Sequence, residues 1–127
     1  MSSAMTRILI VDNDSDVCSI LSDHFRSILG VEVTTARTAS EAMKFDLNHP
    51  HDLVLTDLTL PDADAIELVR QLRDISNPQV VVMSAHPSLG QAVEALRLGV
   101  RDYLTKPFDL AQITATVRHL IEQQDRA

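Results

Sequence analysis

Four strand-like segments in this sequence lead to residues that can hold or transfer charge. Ile8-Leu9-Ile10-Val11 runs into Asp12, Asn13 and Asp14; Leu53-Val54-Leu55 closes on Asp57; Val80-Val81-Val82-Met83 closes on Ser84; and the segment Asp102 to Leu104 leads to Lys106-Pro107. Carboxylates brought together raise one another's pKa unless they share a cation. Hard oxygen donors suit Mg²⁺, which keeps several waters and takes one or two carboxylates together with phosphate oxygens. A carboxylate is also a nucleophile toward phosphorus, giving an aspartyl phosphate. The transition state spreads its charge over the equatorial oxygens, where a metal ion, an ammonium and a hydroxyl stabilise it. The residue types therefore point to phosphoryl chemistry at a carboxylate.

For these segments to meet, four strand ends must lie along one edge of a sheet. The apolar pattern supplies the strands. Continuous runs such as Ile8 to Val11 suit strands buried on both faces. Between them, Val17, Ile20, Leu21, Phe25 and Ile28 recur at helical spacing, with Gly30 as the stop. Val31 to Ala36 reads as a second strand. Thr38 or Ser40 then caps a helix carrying Ala42, Met43 and Leu47, which Pro50 ends. Ile66, Val69 and Leu72 mark a third helix, broken by Asn77-Pro78. Leu89, Ala92, Val93 and Leu96 mark a fourth, stopped at Gly99, and Ile113, Val117, Leu120 and Ile121 the last. The helix stripes read as core. Five strands alternating with five helices imply an α/β, doubly wound parallel sheet with helices on both faces. In such sheets the site lies beyond the carboxyl ends of the strands, where the residues above fall.

The chain of 127 residues suits one domain, 1–127, with an ordered core expected over about 6–123. Its hydrophobic fraction of 45% is that of a globular protein, and with 3% aromatic residues the core must be aliphatic. A formal net charge of −7 argues against direct binding of nucleic acid or of an anionic membrane surface. No apolar run approaches the length of a bilayer span, and the polar start gives no signal peptide, so the expected location is cytoplasmic. One cysteine, Cys18, excludes an intrachain disulfide and reads as a small, partly buried side chain.

Over nearly its full length the sequence resembles the receiver domain of two-component response regulators. The matching stretches are Ile8 to Asp14 (ILIVDND), Asp52 to Pro61 (DLVLTDLTLP), Val80 to Ala85 (VVVMSA) and Asp102 to Phe108 (DYLTKPF). The resemblance implies a flavodoxin-like strand order, 2-1-3-4-5. It makes Asp57 the phosphoacceptor and Mg²⁺ the cofactor, held by Asp12, Asn13, Asp57 and the backbone carbonyl of Thr59. Ser84 matches the hydroxyl that moves to the phosphoryl group, Lys106 the ammonium that pairs with it, and Tyr103 the aromatic that rotates inward. Lys106-Pro107 is expected to be cis. The implied partners are a histidine kinase or phosphotransfer protein, a downstream effector domain or protein, and a homodimer through the helix 4–strand 5–helix 5 face, where Arg97, Arg101, Asp102 and Arg118 lie.

The sequence departs from the family pattern in three places. Asn13 stands where a second acid is usual, which predicts weaker Mg²⁺ binding and slower phosphorylation. Asp62 and Ala65 occupy a loop that often carries glycines, so a positive φ at either would be strained. His86 and Thr59 fall where the family tunes dephosphorylation and are expected to set the lifetime of the phosphoryl group. Asp14 reads as a helix cap. His24, His49, His51 and His119 show no metal spacing and read as structural or surface residues. Two other readings compete with the switch: a degenerate receiver that binds partners unphosphorylated, and a haloacid-dehalogenase-type phosphatase using Asp12-x-Asp14. The second leaves Asp57 unexplained. A nucleotide-binding fold lacks its glycines in the first strand–helix loop.

Overall fold

The computed structural model describes residues 5–126 and shows five βα units. The strands are β1 (Arg7–Val11), β2 (Glu32–Ala36), β3 (Leu53–Asp57), β4 (Gln79–Ser84) and β5 (Asp102–Thr105). The helices are α1 (Ser15–Leu29), α2 (Ala39–Asn48), α3 (Ala65–Ile75), α4 (Leu89–Arg97) and α5 (Leu110–Arg126). All strands are parallel, in the order β2-β1-β3-β4-β5, as expected. The order reverses between β1 and β3, which pair from Ile8↔Leu53 to Val11↔Thr56, so Asp12 and Asp57 leave adjacent strands at the same edge.

Alternation within the strands builds two cores. Ile8, Ile10, Leu53, Leu55, Val81 and Met83 face one side, packed against Leu21 and Phe25 of α1 and Ile113 and Val117 of α5. Leu9, Val11, Val54 and Val82 face the other, against Ala42 of α2, Leu68, Val69 and Leu72 of α3, and Ala95 of α4. Helix ends follow the local chemistry. Asp14 caps α1, accepting the amides of Asp16 and Val17, and Gly30 closes it at φ 64° in the left-handed region that a side chain disfavours. Thr38 is the cap chosen for α2, and Lys106-Pro107 is cis.

Several apolar positions read as core are not. On α1 the buried face is Cys18, Leu21, Ser22 and Phe25, whereas Ile20 and Ile28 are exposed. The buried face lies about one residue from the stripe that the spacing predicts, because Leu21 and Phe25 belong to both faces. Leu47 of α2 is exposed. The difference is largest on α4, where only Ala95 is buried and Leu89, Val93 and Leu96 face outward, Leu89 at 81% exposure. That stripe is a surface, because α4 meets the sheet at its short β5 side through a narrow line of small residues. Asp62 and Ala65 carry no left-handed strain: Asn77, at φ 49°, is the non-glycine residue with positive φ among the described residues.

Candidate functional site

β1 delivers Asp12, whose amide bonds the Ala36 carbonyl at 3.0 Å and whose side chain is buried. Its Oδ1 accepts the Asp14 amide at 2.9 Å, and its Oδ2 accepts from the Lys106 ammonium. Asp57, half-buried at the end of β3, accepts from the same Lys106 Nζ at 3.1 Å through its Oδ2. Its Oδ1 accepts the Thr59 amide at 3.3 Å. Burial opposes the charge on Lys106, but the hydrogen bonds and attraction of Asp12 and Asp57 outweigh it and raise its pKa above the ordinary 10.5. The pair of acids thus meets the condition that crowded carboxylates impose, a shared cation.

The β3–β4 register pairs Asp57 with Met83, so the next residue, buried Ser84, leaves the sheet beside the phosphoacceptor candidate. Its Oγ accepts the His86 amide at 3.1 Å, and its carbonyl takes the Lys106 amide at 2.8 Å, fixing the loop that carries the lysine. Tyr103 pairs with Val82, lies half-buried against the α2–α3–α4 core, and has a buried hydroxyl with no hydrogen-bond partner. Asn13, Thr59 and His86 are exposed around the pocket. An apolar cavity of ≈ 370 Å³, lined by Val17, Ile20, Ala85, Lys106, Pro107 and Phe108, opens beside the lysine. The structure therefore gathers Asp12, Asp57, Ser84 and Lys106 at one edge, with Tyr103 one strand away. Among the described residues no three His, Cys, Asp or Glu side chains gather as a metal cluster. The oxygen donors at this edge are two carboxylates supplemented by amide and carbonyl oxygens.

The family model for the response regulator receiver domain matches residues 8–118. The chain belongs to that family. It is 37% identical over 119 residues to the transcriptional regulatory protein PrrA of Mycobacterium tuberculosis, covering 93% of this chain and 51% of that protein. It is 32% identical over 123 residues to KdpE of the same organism, covering 97% of this chain and 54% of that protein. The receiver chain thus spans about half the length of these curated relatives. Among solved structures it superposes on a CheY-like receiver domain from Methanospirillum hungatei with a TM-score of 0.88 at 27% identity, covering 98% of this chain and 100% of that one. It matches the beryllofluoride-activated NtrC4 receiver domain dimer with a TM-score of 0.87 at 29% identity, over 94% and 98%.

Three arrangements in this receiver domain were missed in the sequence. Arg37 Nε donates to the Asn13 carbonyl at 2.9 Å. Asp62 accepts two amides of α2, at 2.9 and 3.0 Å. Away from the site, buried Asp46 accepts His51 Nδ1 at 3.0 Å, the His51 amide at 2.8 Å and Ser76 Oγ at 2.7 Å, while His51 Nε2 meets Thr34 Oγ1 at 3.1 Å. The last had a signal: Ala39, Ala42 and Asp46 share one helix face, so an acid sits at a core position. The other two act through backbone groups, which no residue spacing marks.

Proposed function

We propose that this receiver domain takes a phosphoryl group on Asp57 from a histidine kinase or phosphotransfer protein and converts the added charge into a change at its output face. The observation behind this reading is the Lys106 ammonium bound at once to the Asp12 and Asp57 carboxylates. In the transfer an Asp57 oxygen bonds to phosphorus as the bond from phosphorus to the donor's imidazole nitrogen breaks, and the departing imidazole takes up a proton. Lys106 then pairs with a phosphoryl oxygen. The apolar cavity between α1 and the β5–α5 loop, next to Lys106, is where the donor docks.

The donor set fits Mg²⁺: the carboxylates of Asp12 and Asp57 already converge on one cation, and the Asn13 amide oxygen and Thr59 carbonyl are further hard oxygens. These residues would hold the ion, which when bound neutralises charge on the phosphoryl oxygens. The domain turns over no separate substrate, although it assists its own phosphorylation and dephosphorylation, and Thr59 and His86 set the lifetime. Phosphorylation draws the Ser84 hydroxyl inward and repositions Tyr103, whose buried hydroxyl has no hydrogen-bond partner where it now lies. The change reaches the α4–β5–α5 face, which carries exposed Leu89, Val93 and Leu96 on α4 and the polar residues Arg97, Arg101, Asp102 and Arg118. That face meets an effector domain, an effector protein or a second copy, and the whole works in the cytoplasm as one domain with an ordered core near 6–123.

Intact-mass spectrometry after incubation with a small acyl phosphate tests the reading. One added phosphoryl group that requires Mg²⁺ and is absent from Asp57→Asn is the expected result. No adduct under conditions that label a control receiver would overturn it in favour of an unphosphorylated binding module.

A further inference from the structure

α2 begins with amide groups that have no partner inside the helix. Two different segments satisfy them. Thr38 Oγ1, the local cap, accepts the Glu41 amide at 3.1 Å. Asp62 comes from the loop after β3, with Oδ1 on the Ala39 amide at 2.9 Å and Oδ2 on the Ser40 amide at 3.0 Å. A carboxylate using both oxygens on adjacent amides at the positive end of a helix is a directional, charge-assisted contact. Those two amides also hold the Asp62 carboxyl below its ordinary range.

The contact crosses between elements. The β3–α3 loop is tied to α3 by Asp64, which caps that helix through the Glu67 amide at 3.1 Å, and is closed by the Thr59–Asp64 bridge and the Leu60 amide on the Ala63 carbonyl. Asp62 ties the same loop to α2. Thr59 lies between Asp57 and these two anchors. The segment before α2 also holds the opposite side of the site, since Arg37 grips the Asn13 carbonyl and the Ala36 carbonyl takes the Asp12 amide. The start of α2, which supplies no reacting group, thus brackets both loops that border the acidic edge.

We propose that Asp62 is a positioning residue for the cation site: by fastening the β3–α3 loop to α2 it holds the Thr59 carbonyl where an Mg²⁺ ion can use it, an inference that rests on the Asp12–Asp57 reading above. Thr38 gives the matched comparison, because it caps the same helix without touching the loop. Mg²⁺ affinity, read from amide NMR shifts in a titration, separates positioning from helix stability, with urea denaturation run on each variant. Asp62→Ala should weaken Mg²⁺ binding by about tenfold, the scale of removing a support behind a metal ligand. Asp62→Asn, which keeps one acceptor oxygen, should fall between. Thr38→Ala should lose comparable stability yet change the affinity less than about twofold, since its cap lies outside the loop. Equal shifts in Asp62→Ala and Thr38→Ala, or no shift in either, would overturn the positioning role. A wild-type chain whose amides do not respond to Mg²⁺ would overturn the metal reading and this inference with it, whereas phosphoryl labelling of Asp57 is read separately by mass.

Discussion

Asn13 sits exposed at the mouth of the acidic edge, with its carbonyl held by Arg37. An amide oxygen ligates a hard cation but brings no charge, so the pocket carries one acid fewer than the family pattern. Asn13→Asp should therefore tighten Mg²⁺ binding by about tenfold, or about 1.4 kcal/mol. Without the ion a third carboxylate beside Asp12 and Asp57 adds repulsion, so the variant should melt lower in chelator and gain more from Mg²⁺ than wild type. Thermal melts with and without Mg²⁺ measure both, and equal responses in the two proteins would remove charge count as a determinant of Mg²⁺ affinity. Asp12, Asp57 and Ser84 were legible in the sequence because each follows an apolar run, and Lys106 because it follows the short fifth strand; topology then brings such ends together. Arg37 and Asp62 were not, since their partners are a main-chain carbonyl and main-chain amides, contacts that depend on how loops pack.

At the scale of elements, Asp46 fastens three of them. It stands on the buried face of α2, binds His51 ahead of β3 and binds Ser76 at the end of α3. Truncating it leaves a histidine ring, an amide and a hydroxyl without their acceptor in a dry place. Asp46→Ala should cost about 3 kcal/mol of stability in urea titration, set by those unsatisfied donors more than by the lost bonds. A loss well under about 1 kcal/mol would mean that the group is rescued by water or by local rearrangement. Periodicity served α3 and α5 well, because Ile66, Val69 and Leu72, and Ile113, Val117 and Leu120, lie on the one face each helix buries. On α4 the same rule failed. Its apolar residues have the spacing of a core stripe, but Ala95 alone makes the buried contact, and hydrophobic spacing does not distinguish a face kept for the core from one kept for a partner.

Across the whole molecule, His51 on the acid side and Cys18 and Lys106 on the alkaline side bound the pH range in which the fold is most stable. Burial lowers the pKa of His51 below its ordinary 6.5, more than the adjacent Asp46 carboxylate raises it, with Arg7 also opposing a proton and Asp52 favouring one. The ring is therefore neutral in the folded domain, donating from Nδ1 to Asp46 and accepting at Nε2 from Thr34. Below pH 6.5 the unfolded chain binds a proton at this residue that the folded chain refuses. Stability from His51 is complete above that pH and is lost as the pH falls from 6.5 through the folded value. Lys106 has the opposite sign. Its folded pKa is raised above 10.5, so its contribution is complete below 10.5 and is lost as the pH rises through the folded value. Urea midpoints of wild type should therefore be level from pH 6.5 to about 9. They should decline above it as the unfolded Cys18 thiol ionises while burial holds the folded thiol protonated, and on the acid side before most carboxylates titrate. His51→Gln, which keeps a polar side chain without a titrating ring, should be less stable at neutral pH and should flatten the decline between pH 6.5 and about 5. An unchanged acid slope in that variant would assign the decline to another group and leave the Asp46–His51 pair a purely structural tie.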